Sequence, residues 1–301
     1  MLGVSIIIPC FNNGHYLLEA VDSVVKQPFA CDCEIIVVDD GSTDEQTLKA
    51  LEYIANKVDK LLYLDINHGV QYARNHGIQH SRFDYILPLD ADDCLNTDLQ
   101  LIRKGTYPDK AIAVLENNDD IAFVHCISTM FGDYQGYTIS AYPVNYSQIL
   151  RKHHAPTSII YRKCDAIAAG LYKEDIIKWQ DWSFAVALLN ARFKNGKCMG
   201  IIFLEDPFHC YRIHDDLTRI STQIVCEREM ISLTINQNIE LFNSEFPELN
   251  ISEVADKIFK SKPDKLTDLL HIAANNLNTA LQMARQRDYQ LASSIEPDGI
   301  P

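Results

Sequence analysis

The chain has 301 residues, 47% of them hydrophobic and 23% charged, which is ordinary for a folded globular protein and excludes fibrous and disordered classes. Its formal net charge is -14, from 27 basic and 41 acidic residues, with no run of Lys or Arg; nucleic acid is therefore not an expected partner. Nine irregularly spaced cysteines argue against a disulfide framework or a zinc site and fit a reducing, cytoplasmic setting.

Strand and helix patterns alternate from the start. Val4 to Ile8 reads as a strand with no basic leader or cleavage site before it, so no signal peptide is expected, and no apolar run approaches the ~20 residues of a membrane span. A helix from about Tyr16 to Lys26 follows, then a strand from Glu34 to Val38 and a helix through Leu48, Leu51 and Ile54. Ser42 and Glu45 have capping-box spacing, which predicts that this second helix starts just beyond Asp39-Asp40-Gly41. Leu61 to Leu64 reads as a third strand, and Val70, Ala73, Gly77 and Ile78 share a face of the next helix. Tyr85 to Leu89 then delivers Asp90-Ala91-Asp92-Asp93.

Ile121 to Cys126 and Ile201 to Leu204 are further strands, and Ser183 to Ala191 has the period of a buried helix. After about Thr222 the strand signals stop. Apolar positions at Ile231, Leu233, Ile235, Ile239 and Leu241, and again at Leu269, Leu270, Ile272 and Ala273, predict amphipathic helices, with turns near Ser244 to Asn250 and at Pro263. The expected organisation is an α/β domain over residues 1–221 and a helical C-terminal extension over 222–301.

Three acidic clusters carry the chemistry. Two of them end apolar strands, where open α/β sheets bind ligands. A carboxylate at Asp39 or Asp40 can accept a base N–H, although Asp-Asp-Gly-Ser also describes a turn and helix cap. Asp90 and Asp92, one residue apart, suit a hard divalent ion such as Mn²⁺ or Mg²⁺, which would offset repulsion between an acidic protein and a diphosphate; the same pattern also occurs in solvated loops. Asp181, in Trp179-Gln180-Asp181-Trp182, is a candidate general base or a helix cap, with burial raising its pKa and the helix amino end lowering it.

Other groups have open assignments. Arg74 can bind phosphate or pair with Asp90 or Asp92, and His214 can offer a metal ligand or serve the structure. Tyr134, Tyr137 and Tyr142 can stack on sugar or pack, and His153-His154 lacks an acidic partner at zinc spacing.

Taken in order, Val4-Ser5-Ile6-Ile7-Ile8-Pro9-Cys10-Phe11-Asn12, Val37-Val38-Asp39-Asp40-Gly41-Ser42-Thr43-Asp44, Gly69 with Ala73-Arg74-Asn75, and Asp90-Ala91-Asp92-Asp93 closely resemble family 2 glycosyltransferases. The resemblance runs from residue 4 to about 219, including Tyr211-Arg212-X-His214. It implies a GT-A fold (a Rossmann-like mixed sheet flanked by helices), a nucleotide-diphosphate sugar donor with uracil as the first candidate base, Mn²⁺ or Mg²⁺, and inversion at the anomeric carbon. Asp40 would bind the base in a pocket lined by Pro9 and Phe11. Asp90 would contact the ribose or hydrated metal, Asp92 would ligate the metal, His214 would approach it or the diphosphate, and Asp181 would be the catalytic base.

Gln180 departs from the Glu that the family usually carries before that base, which should lower the pKa of Asp181. Membrane helices and a Gln-X-X-Arg-Trp motif, features of processive synthases, are absent. Transfer of a single hexose to a saccharide, lipid-linked or other hydroxyl acceptor is therefore expected, with the protein cytoplasmic or attached at the inner membrane face and the C-terminal helices available for dimerisation. The rival readings are a nucleotidyltransferase acting on a sugar phosphate, whose glycine-rich basic loop is missing, and a non-catalytic nucleotide-sugar-binding protein.

Overall fold

The structure, a computed structural model, describes residues 2–133, 135–137, 145–151, 157–214, 225–260 and 282. Chain order runs β1 (Val4–Cys10), α1 (Gly14–Val25), β2 (Cys33–Asp39), α2 (Glu45–Ile54), β3 (Lys60–Tyr63), α3 (Val70–His80), β4 (Tyr85–Pro88), β5 (Cys94–Leu95), α4 (Leu99–Ile102), α5 (Tyr107–Asn117) and β6 (Ile121–Gly132). It continues through β7 (Gly136–Tyr137), α6 (Tyr146–Arg151), β8 (Ile160–Arg162), α7 (Lys163–Ala168), α8 (Gln180–Lys194), β9 (Gly200–Ile213), α9 (Glu227–Gln237), α10 (Ile239–Glu245) and α11 (Ile251–Lys260).

The strands form one nine-stranded sheet in the order β3-β2-β1-β4-β8-β6-β9-β5, with β7 paired to β6. β1 lies parallel to β2 and β4, β3 is parallel to β2, and β8 is antiparallel to both β4 and β6. β9 runs parallel to β6 and antiparallel to β5. From these pairings β1, β2, β3, β4, β6 and β9 all point the same way, and their carboxyl ends share one edge of the sheet.

Every residue of β1 is buried, as a strand covered by helices on both faces requires. Its side chains alternate between two cores. Ile7 joins Ile36 and Val38 under α3 and α8, whereas Ile6 and Ile8 join Val37, Leu17, Val21, Leu51 and Tyr107 on the other face. The N–H that Pro9 lacks would have faced β4. That strand has left the sheet by then, since Leu89 donates its N–H to the Ile7 carbonyl and the chain turns into the Asp cluster.

The change in element type near residue 222 is not a gap in packing. Ile231, Leu241, Phe242, Val254 and Ile258 of α9, α10 and α11 belong to the same core as Ile7 and Trp182. Among the described residues no helix is long and apolar enough to cross a membrane.

The expected start of α2 is corrected. Asp44, not Ser42, is its N-cap and accepts from the Thr47 N–H at 2.8 Å, while the Ser42 hydroxyl accepts from the Asn12 N–H. The sequence reading also passed over α5, whose Thr106 and Asp109 form a reciprocal capping box. Tyr137 lies in β7 opposite Thr129, whereas Tyr134, Tyr142, His153, His154, Pro263, Leu269, Leu270, Ile272 and Ala273 lie outside the described residues.

Gly77 lets α3 rest directly on the sheet: a Cβ there would lie 2.4 Å from Ile7 Cγ2 and 3.3 Å from Val38 Cγ2. Gly77→Val should therefore cost about 2 kcal/mol, read as a lower urea midpoint. An unchanged midpoint would show that α3 can lift off β1 at no cost.

Candidate active site

The loops at the shared carboxyl edge carry the predicted residues. Beyond β1, Phe11 is half-exposed and Asn12 turns in the left-handed region (φ 50°). The Asn12 side chain accepts from the N–H groups of Thr43 and Asp44 at 2.8 and 3.2 Å, which ties the end of β1 to the turn after β2. Pro9 is buried within β1, so the structure separates the two residues assigned to one pocket by their exposure.

Asp40 is buried, and both of its oxygens are engaged. The His68 and Gly69 N–H groups donate to Oδ1 and Oδ2, each at 2.8 Å. Burial raises its pKa, while these two bonds oppose the shift. Asp40 thus anchors the loop leading into α3; its oxygens keep further lone pairs for a base N–H. Gly41 needs its positive φ of 71° and its bare Cα, because a Cβ would lie 2.5 Å from the Ile66 backbone.

The second cluster is divided by role. Asp90, Asp92 and Asp93 offer oxygens that all lie within 4.8 Å of one another. Asp92 Oδ2 meets His214 Nε2 at 3.0 Å, so the two residues assigned to a metal are together. Asp93 instead turns inward: it accepts from the Arg212 N–H at 2.8 Å, and its Oδ2 lies 3.1 Å from His209 Nε2, whose other ring nitrogen is 2.7 Å from the Ser128 hydroxyl.

Arg212 binds this turn again through Nε, which donates to the Asp92 carbonyl at 2.8 Å, and reaches Glu19 with its far nitrogen. Its guanidinium lies 4.5 Å from the Tyr16 ring centroid and 4.2 Å from that of Phe131. β9 therefore holds the Asp turn from behind, and His214 follows directly on its last residue.

Arg74 joins the second cluster to the third. Only 1% exposed, it donates to Asp90 Oδ1 at 2.5 Å and to Asp181 Oδ1 at 2.8 Å, with its guanidinium 5.2 Å from the Tyr172 ring. Burial works against its charge, but Asp90 and Asp181 outweigh burial and raise its pKa. Of the partners the sequence offered, Asp90 is found and Asp92 is not; Asp181 was not foreseen.

Asp181 lies in the first turn of α8 rather than at its cap. Trp179 occupies the cap position in the left-handed region (φ 65°, ψ 26°), a backbone conformation that costs a bulky residue roughly 1–3 kcal/mol. Asp181 Oδ2 accepts from the Thr157 hydroxyl at 3.1 Å. Burial raises the Asp181 pKa, opposed by Arg74 and assisted by Asp90, so desolvation outweighs the guanidinium. A carboxylate made more basic and still partly exposed can take a proton.

The residues present fit a divalent cation. Among the described residues, hydrogen bonds engage one oxygen of Asp90 and one of Asp92, and the oxygens of three acids, Asp90, Asp92 and Asp93, cluster there against the one guanidinium that contacts Asp90. Thr157, Tyr172, Asn12 and Arg212 escaped the sequence reading. Only Arg212 and Asn12 had a signal, each lying inside a quoted motif.

Residues 5–134 match the sequence model for glycosyl transferase family 2. This part of the chain belongs to that family. Among curated relatives, the family 2 domain is similar to poly(ribitol-phosphate) beta-N-acetylglucosaminyltransferase TarS of Staphylococcus aureus, 33% identical over 127 residues covering 41% of this chain and 21% of TarS. It is also similar to UDP-Glc:alpha-D-GlcNAc-diphosphoundecaprenol beta-1,3-glucosyltransferase WfgD of Escherichia coli, 31% identical over 161 residues covering 53% of this chain and 54% of WfgD. The chain thus matches about a fifth of one relative and about half of the other.

The crystal structure of S. aureus TarS 1–349 in complex with UDP-GlcNAc superposes with a TM-score of 0.63 at 18% identity, covering 96% of this chain and 92% of that one. Mannosyltransferase PcManGT from Pyrobaculum calidifontis in complex with GDP-Man and Mn²⁺ gives 0.54 at 16% identity, covering 99% and 76%. The shared fold is the GT-A type, a mixed sheet flanked by helices, as the motifs imply.

Burial pushes the Asp93 pKa up to about 6 against the pull of His209. A folded pKa above the unfolded value gives stabilisation that is complete below the unfolded pKa and lost as pH rises through the folded one. The advantage of the parent over Asp93→Asn should therefore be greatest near pH ~4 and shrink through pH ~6 in urea unfolding. An advantage that grows over that window would contradict the burial-dominated shift.

Proposed function

We propose that the protein is an inverting, metal-dependent glycosyltransferase that moves one sugar from a nucleotide-diphosphate sugar, first of all a UDP-sugar, to a hydroxyl acceptor in cell-surface polysaccharide or glycoconjugate synthesis. One observation carries the reading: Asp181 and Asp90 share one buried guanidinium, beside a second acid, Asp92, that meets His214. Proton acceptor and donor-side carboxylates thus meet at the sheet edge where α/β folds bind nucleotides. The relatives named for poly(ribitol-phosphate) and diphosphoundecaprenol substrates support a surface-polymer setting.

Asp181 accepts the acceptor hydroxyl proton as the oxygen attacks the anomeric carbon, and the nucleoside diphosphate departs from the opposite face. Thr157 and Arg74 keep the carboxylate aimed during this step. Asp40 and Phe11 line the base end, Pro9 itself being buried in β1, with Asp90 toward the ribose. When bound, Mn²⁺ or Mg²⁺ would be held by Asp92, with Asp90 and His214 alongside, and would neutralise charge on the diphosphate.

Thermal-shift screening of UDP-, GDP- and dTDP-sugars with and without MnCl₂ identifies the donor, since ligand at 100 Kd stabilises by about 2.7 kcal/mol. One nucleotide class should raise the melting temperature only with the metal; no shift from any of them would sink the reading.

Asp92→Asn should weaken Mn²⁺ binding more than about tenfold, with its melting temperature nearly unchanged, as measured by electron paramagnetic resonance and calorimetry. Asp181→Asn should keep UDP binding while losing transfer by about 10²–10⁴-fold. Transfer at the parent rate would remove Asp181 from the chemistry.

A further inference from the structure

We propose that the buried polar face of α3, made by Gln71, Arg74 and Asn75, is the positioning frame for the base, and that Arg74 fixes Asp181 relative to Asp90 instead of binding donor phosphate. The inference rests on Asp181 being the base. These residues are spaced i, i+3 and i+4 and so share one side of the helix. An apolar stripe would be expected against the core, yet all three are buried there.

Each is bonded to the chain that leads into α8. Gln71 Nε2 donates to the Ile176 carbonyl at 2.5 Å. Asn75 makes a reciprocal pair with the Tyr172 backbone: its Nδ2 donates to the carbonyl at 2.9 Å and its Oδ1 accepts from the N–H at 2.9 Å. Arg74 then contacts Asp181 itself. Residues about 100 positions apart in sequence are locked together by α3.

The geometry leaves Arg74 little to offer a donor. Two of its nitrogens are taken by Asp90 and Asp181, and Nε is buried with no hydrogen-bond partner among the described residues. The fork suits this task because a planar guanidinium sets a fixed distance and angle between two carboxylates, which an ammonium cannot do. Without a cation between them, Asp90 and Asp181 would face each other as like charges in a poorly solvated site.

The test compares the parent with Arg74→Lys, Arg74→Met, Asn75→Ala and the Arg74→Met/Asp181→Asn double variant. Readouts are thermal unfolding, calorimetric binding of UDP with MnCl₂, and Mn²⁺-supported hydrolysis of the nucleotide sugar that most stabilises the parent. Arg74→Lys, which keeps a buried cation but loses the fork, should bind UDP within about fivefold of the parent and hydrolyse donor about a hundredfold more slowly. Asn75→Ala should show the same split, with the loss about tenfold.

Arg74→Met should melt about 8 °C lower, and adding Asp181→Asn should recover at least about half of that loss, because the second change removes one of the two uncompensated charges and with it their mutual repulsion. Hydrolysis by Arg74→Lys within about threefold of the parent, or a double variant no more stable than Arg74→Met, overturns the proposal while leaving the reading of the site intact. A parent that binds no UDP with Mn²⁺ overturns both.

Discussion

Carboxylates gathered at the ends of neighbouring strands repel one another, and the central fact of this molecule is how that repulsion is held in check. Arg74 lies almost wholly inside the protein and spans Asp90 and Asp181. Breaking such a buried pair from one side typically costs about 3–5 kcal/mol, because a charge is left without compensation. The arrangement makes one residue responsible for the electrostatic tolerance of the site and, on the proposed reading, for the aim of Asp181 as proton acceptor.

The sheet supplies the remaining constraint. β1, β2, β4 and β9 run in one direction, so Asp40, the Asp90 turn and His214 all emerge at the same edge. Each is then pinned by a partner from a distant segment: Asp40 by the amides before α3, Asp93 by His209, and the Asp92 carbonyl by Arg212. Helices α9, α10 and α11 contribute by closing the core under α8, the helix that carries Asp181.

Much of this was legible in the residues themselves. The strands ending at Asp39 and ahead of Asp90 are short apolar runs bounded by turn signals, and the helix beginning at Gln180 is apolar over several turns, so their placement follows from pattern alone. Asp92 and His214, 122 positions apart, are joined in the sequence only as possible ligands of one metal, a pairing that the family resemblance also implies, and the structure puts them 3.0 Å apart. The Ser42 cap failed because Asn12 competes for that hydroxyl across 30 residues, leaving Asp44 to cap α2.

What stayed hidden depends on distant partners. Nothing near Arg74 in sequence announces that Asp181 lies against it, and nothing near Asn75 announces Tyr172. Short β5, β7 and β8 have too few residues to display a period. The α5 start is local by contrast, with Thr106, Pro108 and Asp109 together spelling out a capping box and a first-turn proline.

On the proposed reading the edge acids and His214 form one metal-dependent site for a nucleoside diphosphate. Anomalous diffraction at the manganese edge, from crystals grown with UDP and MnCl₂, addresses it most directly. The expected result is a single strong peak beside Asp92 and His214 that also touches the diphosphate. UDP bound at that edge with no manganese peak near Asp92, or manganese bound elsewhere while the edge stays empty, would contradict the account.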